Sequence, residues 1–153
     1  VLAGKAGIYG MVGGQCVDVM NENNPDITME DILFIHENKT AALIEAALLC
    51  GGILAGASDA DCEKLAKAGS YIGLAFQIQD DILDETATFE ELGKPIGSDK
   101  DNGKVTYLSL NGMEASANKV EELTEEAIAL LEVNGRRNEV LEGLLMSLVH
   151  RKS

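Results

Sequence analysis

Apolar residues recur at three- and four-residue intervals along most of this chain, and no two-residue alternation persists anywhere. That periodicity predicts helices. Residues 1 to about 20 are rich in Gly and Ala, with apolar residues on several sides. They read as a buried helix in close contact with neighbours, despite the propensity cost of Gly4, Gly7, Gly10, Gly13 and Gly14. Asn21-Glu22-Asn23-Asn24-Pro25-Asp26 breaks it with turn formers and a proline. Thr28-Met29-Glu30-Asp31 has the form of a capping box, and helical periodicity follows through Ile32, Ile35, Leu43, Ala47 and Leu54 to near Gly56. Ser58-Asp59-Ala60-Asp61 opens the next helix in the same way, running through Leu65, Ala68, Ile72 and Phe76 to about Asp84. Residues 85 to about 110 are a long polar connection holding Lys94, Lys100 and Lys104 and punctuated by Gly93, Pro95, Gly97 and Gly103. Connections of that length in compact domains tend to be functional. Two amphipathic helices, roughly 113–133 and 137–150, close the chain, with Asn134-Gly135 as a C-cap signal between them. The predicted architecture is all-α, without internal repeats.

Composition narrows the functional classes. A chain of 153 residues suits one ordinary domain, and 46% apolar content excludes a disordered one. The net charge of −14 comes from 26 acids against 12 bases. Nucleic acid and anionic membranes both want basic patches, so neither is an expected partner. An anionic ligand would need divalent cations or a few placed lysines to mediate. Cys16, Cys50 and Cys62 form an odd, widely spaced set, which argues against a disulfide framework or a zinc site. They read as small apolar core positions in a reducing, cytoplasmic setting. No run of about 18 uninterrupted apolar residues exists, so stable membrane insertion is not expected. The start at Val1, without an initiator Met or a signal-peptide plan, suggests a truncated or processed chain.

The segment richest in chemistry is Phe76-Gln77-Ile78-Gln79-Asp80-Asp81-Ile82-Leu83-Asp84. On a helix, Gln77, Asp80, Asp81 and Asp84 fall on one stripe. Carboxylates stacked there repel one another unless a cation sits between them. Hard oxygen ligands at this spacing suit Mg²⁺, which keeps several waters and often bridges carboxylates to phosphates. A solvated acidic face is the plainer alternative. The helix dipole disfavours acids at a C-terminus, and the apolar approach Tyr71 to Phe76 implies burial. An EF-hand frame on Ser98 to Gly103 fails, because Lys100 would fall on a ligand position. Lys39, Lys94 and Lys104 complete the picture: carboxylates hold Mg²⁺, Mg²⁺ holds a diphosphate, and ammoniums neutralise the remaining oxygens.

These motifs resemble, in order, those of the trans-isoprenyl diphosphate synthases, most closely the bacterial farnesyl and geranylgeranyl diphosphate synthases. Phe76 to Asp84 resembles the family's second aspartate-rich motif. Gly10 to Gln15 with Asp18 resembles its Gly-rich helix, and Lys39-Thr40 its Lys-Thr pair. Gly93-Lys94, Gly103-Lys104 and Thr106-Tyr107 match the loop after the acidic motif, and His150-Arg151-Lys152 the basic end.

The resemblance implies an antiparallel helical bundle of the isoprenoid synthase type. Residues 1–153 would form its C-terminal portion, with the N-terminal half and the first aspartate-rich motif absent. It implies Mg²⁺-dependent condensation of an allylic prenyl diphosphate with isopentenyl diphosphate, releasing diphosphate and giving a short-chain trans-isoprenyl product, and a homodimer. Asp80 and Asp84 would bind Mg²⁺, with Asp81 a ligand or the partner of one. Lys39, Lys94 and Lys104 would hold the allylic diphosphate, and Thr40 and Gln77 would contact its ionising end. Phe76 would shape the pocket, and Gln15 would lie close by. The chain alone is expected to be inactive. A terpene cyclase is disfavoured because its second motif is usually an Asn-Ser/Thr-Glu triad. A non-catalytic subunit would tend to lose the acidic motif that this chain keeps, and chance similarity of an acidic helical module does not explain ordered agreement across several segments.

Overall fold

The computed structural model describes residues 1–22, 24–86, 104–132 and 137–150. Among these, every regular element is helical. The helices are α1 (Leu2–Ala6), α2 (Met11–Met20), α3 (Met29–Ile35), α4 (Ala42–Leu54), α5 (Asp59–Thr86), α6 (Tyr107–Asn111), α7 (Met113–Leu130) and α8 (Glu139–Val149). A π-helical segment, His36–Ala41, joins α3 to α4 without a break in helical backbone.

Local chemistry sets several boundaries where the sequence places them. Thr28 caps α3 reciprocally: its Oγ1 accepts from the Asp31 N–H at 3.2 Å, and the Thr28 N–H donates to Asp31 Oδ2 at 3.0 Å. Ser58 Oγ accepts from the Asp61 N–H at 3.2 Å as α5 begins. Thr106 and Ser109 form a second capping box, which starts a short helix inside the segment expected to be loop. Gly112, with φ of +81°, then turns α6 into α7, a left-handed conformation that favours glycine. Asn134-Gly135 lies outside the described residues.

The long helix α5 is the spine. Ala68, Ile72, Ala75, Ile78 and Ile82 recur at three- and four-residue spacing and are buried against Val120, Leu123, Ala127 and Leu131 from α7 and its end. Leu145 and Val149 of α8 close the same core. The buried hydroxyls of Ser116 and Thr124 donate back to Gly112 O and Val120 O, so neither is left unsatisfied in the core. A second face of α5 carries Gly69 and Gly73. A Cβ at Gly73 would overlap Ala41, and one at Gly69 would overlap the backbone of Glu45. Bare backbone on α5 therefore lets the α4 and π-helical backbone approach closely, and the same face continues into Gln77 and Asp80.

The structure differs from expectation at the N-terminus. Residues 1–20 form two short helices broken at Gly7–Gly10, and only Gly10 and Gly14 are buried. Tyr9 and Met20 are 89% and 82% exposed, because the outer side of α2 packs on nothing among the described residues. Cys16 on that side is exposed rather than a core position, although all three cysteines are free, as expected. The apolar stripe of α4 also differs. Ile32 and Ile35 are buried, but Leu43, Ala47 and Leu54 are exposed while Ala41, Ala42 and Ala46 are buried. The cause is the π-helical turn: one additional residue per turn changes the phase, and the inward line steps five residues from His36 to Ala41. No described helix is long and apolar enough to cross a membrane.

Candidate functional site

Four segments enclose a cavity of about 520 Å³: α2 and the turn after it, α3 with the π-helical segment, the middle of α5, and the strip Lys104–Thr106. Glycine makes the first junction possible. A Cβ on Gly14 would overlap the backbone nitrogen of Lys39, so α2 lies directly on the π-helical backbone. With Gly73 of α5 pressed on Ala41, the segment bearing Lys39 and Thr40 sits between two glycine contacts. π-Helical turns are rare and concentrate at functional sites, where they re-aim side chains.

Asp18 of α2 is the electrostatic centre of one part of the cavity. Lys39 Nζ lies 2.6 Å from its Oδ2 and Lys104 Nζ lies 3.2 Å from its Oδ1, with the carboxylate side chain 12% exposed. Burial by itself would raise the Asp18 pKa. The hydrogen bond from Lys39 and the charge of Lys104 outweigh it, and the carboxyl lies below its ordinary value. Thr40 Oγ1 donates to Gln77 Oε1 at 2.5 Å, tying the π-helical segment to α5.

On α5, Asp80 and Asp81 both line the cavity. Asp81 Oδ2 accepts the Tyr107 backbone N–H at 3.0 Å, so the start of α6 fixes its orientation. His36 Nε2 stands 3.9 Å from the same oxygen, and the buried His36 Nδ1 has no hydrogen-bond partner. Burial, reinforced by Lys104 and Lys39 and opposed by Asp18, pushes the His36 pKa down to about 4. The ring is therefore neutral at ordinary pH.

Of the residues singled out by sequence, Gln15, Lys39, Phe76, Gln77, Asp80, Asp81 and Lys104 line this one cavity. Thr40 joins through its bond to Gln77. Asp84, on the same α5 stripe, is 5% exposed and is not part of the cavity lining. Lys94 lies outside the described residues, as do Lys100, Gly103, Arg151 and Lys152. Among the described residues no group of three His, Cys, Asp or Glu side chains is arranged to hold a metal ion. Two adjacent carboxylates on the cavity wall nevertheless fit Mg²⁺, which takes one or two carboxylates and completes its shell with water and phosphate. Sequence reasoning left out His36 and the double engagement of Asp18. The signal for His36 was its place three residues before Lys39, on the same side of the helix.

Comparison with known proteins identifies the family. The family profile described as Polyprenyl synthetase matches residues 5–142. A geranylgeranyl diphosphate synthase of Cyanophora paradoxa is 49% identical over 118 residues, which cover 77% of this chain and 39% of that protein. A crystal structure of an FPP/GFPP synthase from Zymomonas mobilis superposes with a TM-score of 0.80 at 32% identity, over 97% of this chain and 48% of that one. A geranyltransferase from Helicobacter pylori, solved with magnesium and isoprenyl diphosphate, gives a TM-score of 0.77 at 34% identity, again over 97% of this chain and 48% of that one. The chain thus spans less than half the length of each of these three relatives.

Proposed function

Because this chain belongs to the polyprenyl synthetase family, we propose that it is the C-terminal portion of an all-helical prenyltransferase domain. That enzyme condenses an allylic prenyl diphosphate with isopentenyl diphosphate and releases diphosphate. The observation that carries the reading is one cavity lined by adjacent carboxylates, Asp80 and Asp81, together with two ammoniums, Lys39 and Lys104. Such a set recognises a diphosphate through a divalent cation and direct charge-assisted hydrogen bonds.

Asp80 and Asp81 would hold the cation, with Asp81 oriented by the Tyr107 N–H. Mg²⁺, when bound, supplies charge neutralisation of the departing diphosphate. The H. pylori relative was solved with magnesium and isoprenyl diphosphate, which supports the choice of metal and ligand class. Lys39 and Lys104 bind the diphosphate oxygens and stabilise the charge that develops there as the allylic carbon–oxygen bond breaks. Lys94 belongs to the same proposal through its sequence motif. Thr40 spends its hydroxyl proton on Gln77, so its oxygen lone pairs can face the developing allylic cation. Phe76, half-buried on the cavity wall, shapes the apolar part. Asp84, one turn further along α5 and buried, belongs to the same metal-binding proposal through its sequence motif.

The product belongs to the farnesyl to geranylgeranyl class, as the names of the relatives suggest. Homodimerisation and a cytoplasmic setting are part of the same proposal, resting on family resemblance and on the free cysteines. The strongly exposed Tyr9, Met20 and Leu54 support the view that further polypeptide packs on this half-domain. The test uses the full gene product with Mg²⁺, isopentenyl diphosphate and each of dimethylallyl, geranyl and farnesyl diphosphate, followed by chromatography of dephosphorylated products. Extension abolished by EDTA is expected. No extension with any primer, from folded protein, overturns the reading in favour of a non-catalytic subunit.

A further inference from the structure

The cavity contains more carboxylate than its proposed ligand would welcome. Among the described lining residues stand four carboxylates, of Asp18, Glu22, Asp80 and Asp81, against two ammoniums, of Lys39 and Lys104. His36 adds no charge at ordinary pH. Both ammoniums are already drawn to one acid: Lys39 at 2.6 Å from one Asp18 oxygen, Lys104 at 3.2 Å from the other. Asp18 comes from α2, Lys39 from the π-helical segment and Lys104 from the strip before α6. The carboxylate side chain is 12% exposed, while the Lys39 and Lys104 side chains are 34% and 44% exposed, so one end of each pair is sheltered and the other is open to solvent and to a competing anion.

An anion entering this cavity without a cation meets two obstacles. It must compete with Asp18 for the same two ammoniums, and it must approach the carboxylates of Asp80 and Asp81. Ammonium and carboxylate attract at such distances, the Lys39 pair more than the Lys104 pair, whose longer contact and more exposed ammonium leave it the more screened of the two. A divalent cation on Asp80 and Asp81 reverses the local sign and lets the diphosphate outbid Asp18.

We propose that Asp18 acts as an internal counter-anion that makes capture of a diphosphate by Lys39 and Lys104 conditional on a divalent cation. This rests on the assignment of the cavity as the diphosphate site. It adds a role for a residue to which that assignment gives neither the metal nor the reacting carbon: Asp18 sets which ligand state the lysines accept. It prevents unproductive retention of free diphosphate, the reaction's own leaving group, when no metal accompanies it.

The experiment is isothermal titration of inorganic diphosphate into the purified full gene product, with excess Mg²⁺ and separately in EDTA. Three proteins are compared: the unsubstituted chain, Asp18→Asn and Asp18→Glu. The unsubstituted chain should bind with Mg²⁺ and bind at least about a hundredfold more weakly in EDTA. Asp18→Asn, which keeps the size and an acceptor but removes the charge, should gain at least about tenfold in metal-free affinity, while its affinity with Mg²⁺ changes by less than about threefold. Asp18→Glu should retain the metal requirement. A purely structural clasp predicts no gain of binding in any variant.

Each remaining outcome decides against the idea in a distinguishable way. No binding by the unsubstituted chain even with Mg²⁺ removes the diphosphate-site assignment and the proposal with it. Binding with Mg²⁺ but no metal-free gain in Asp18→Asn leaves the assignment standing and overturns the counter-anion role. Loss of the helical circular dichroism signal in both Asp18→Asn and a second neutral variant, Asp18→Ser, also overturns it, since Asp18 would then be a fold determinant.

Discussion

The neutral, buried imidazole of His36 makes a quantitative prediction about acid stability. The residue is 8% exposed, and burial, reinforced by the charges of Lys104 and Lys39, holds its pKa at about 4 against an ordinary 6.5. Between those values the unfolded chain takes up a proton that the folded chain refuses. Stability therefore rises with pH across the window: it is fully present above about pH 6.5 and is lost as pH falls toward 4. A shift of about 2.5 units at 1.36 kcal/mol per unit gives a loss of about 3 kcal/mol, of which about 2 kcal/mol is gone by about pH 5. Carboxylates titrate in acid too, so the assay compares the unsubstituted chain with His36→Gln, whose amide never gains a charge. Urea unfolding in EDTA, at half-unit steps from about pH 7.5 to about pH 4.5, gives two stability curves. Their carboxylate contributions cancel in the difference. His36→Gln should be the less stable near neutrality by whatever packing it loses, and the gap should narrow by about 2 kcal/mol by about pH 5. Parallel curves would refute the reasoning, because they would mean that His36 accepts its proton in the folded chain at the ordinary pH.

Other consequences can be checked alongside. Gly14→Ala and Gly73→Ala each push a methyl into the backbone of the π-helical segment, and each should cost at least about 2 kcal/mol by thermal unfolding. Gly51→Ala meets nothing within 4 Å and should instead stabilise by roughly 0.5–1 kcal/mol; equal effects at all three positions would disprove the close-approach argument. Thr28→Ala removes the reciprocal cap of α3 and should cost about 1 kcal/mol in urea unfolding. Lys39→Met should weaken Mg²⁺-diphosphate binding by roughly tenfold to a hundredfold in the titration while leaving the helical signal intact, as expected for loss of one charge-assisted hydrogen bond. An unchanged affinity would exclude Lys39 from the site.

Much of this architecture is legible in the sequence because it depends on short-range rules. The capping residues Thr28 and Ser58, the stripe from Ala68 to Ile82 and the two closing helices follow from spacing of three and four residues and from side chains that bond the nearest free N–H. The acidic turn and Lys39 were legible for a different reason: charge placed in an apolar helix has to be explained by a partner. What stayed hidden depends on distance in sequence. Asp18 meets Lys39 and Lys104 at separations no helical period encodes. The exposure of Cys16, Tyr9 and Met20 follows from what packs beside α2, and composition carries no trace of that. Asp84 shares the stripe of Asp80 and Asp81, yet a stripe specifies direction and not depth, and one turn further along α5 the same face is buried.

The π-helical segment shows why the α4 stripe in particular was out of reach. A helical period assumes constant phase, and His36–Ala41 violates it by one residue. Stability alone offers no reason for the violation, since π-turns are rare and this one leaves a buried imidazole nitrogen unpartnered. The gain lies in what the phase change separates. Ala41 turns inward, where Gly73 leaves room, while His36 and Lys39 line the cavity and Thr40 reaches Gln77. Ile32, Ile35, His36 and Lys39 line the cavity while Ala41 and Ala42 are buried in the core, so the wide turn divides a cavity-facing stretch from a core-facing one. A site that needs an ammonium and a hydroxyl on neighbouring residues, aimed at different partners, is served by a turn wide enough to part them.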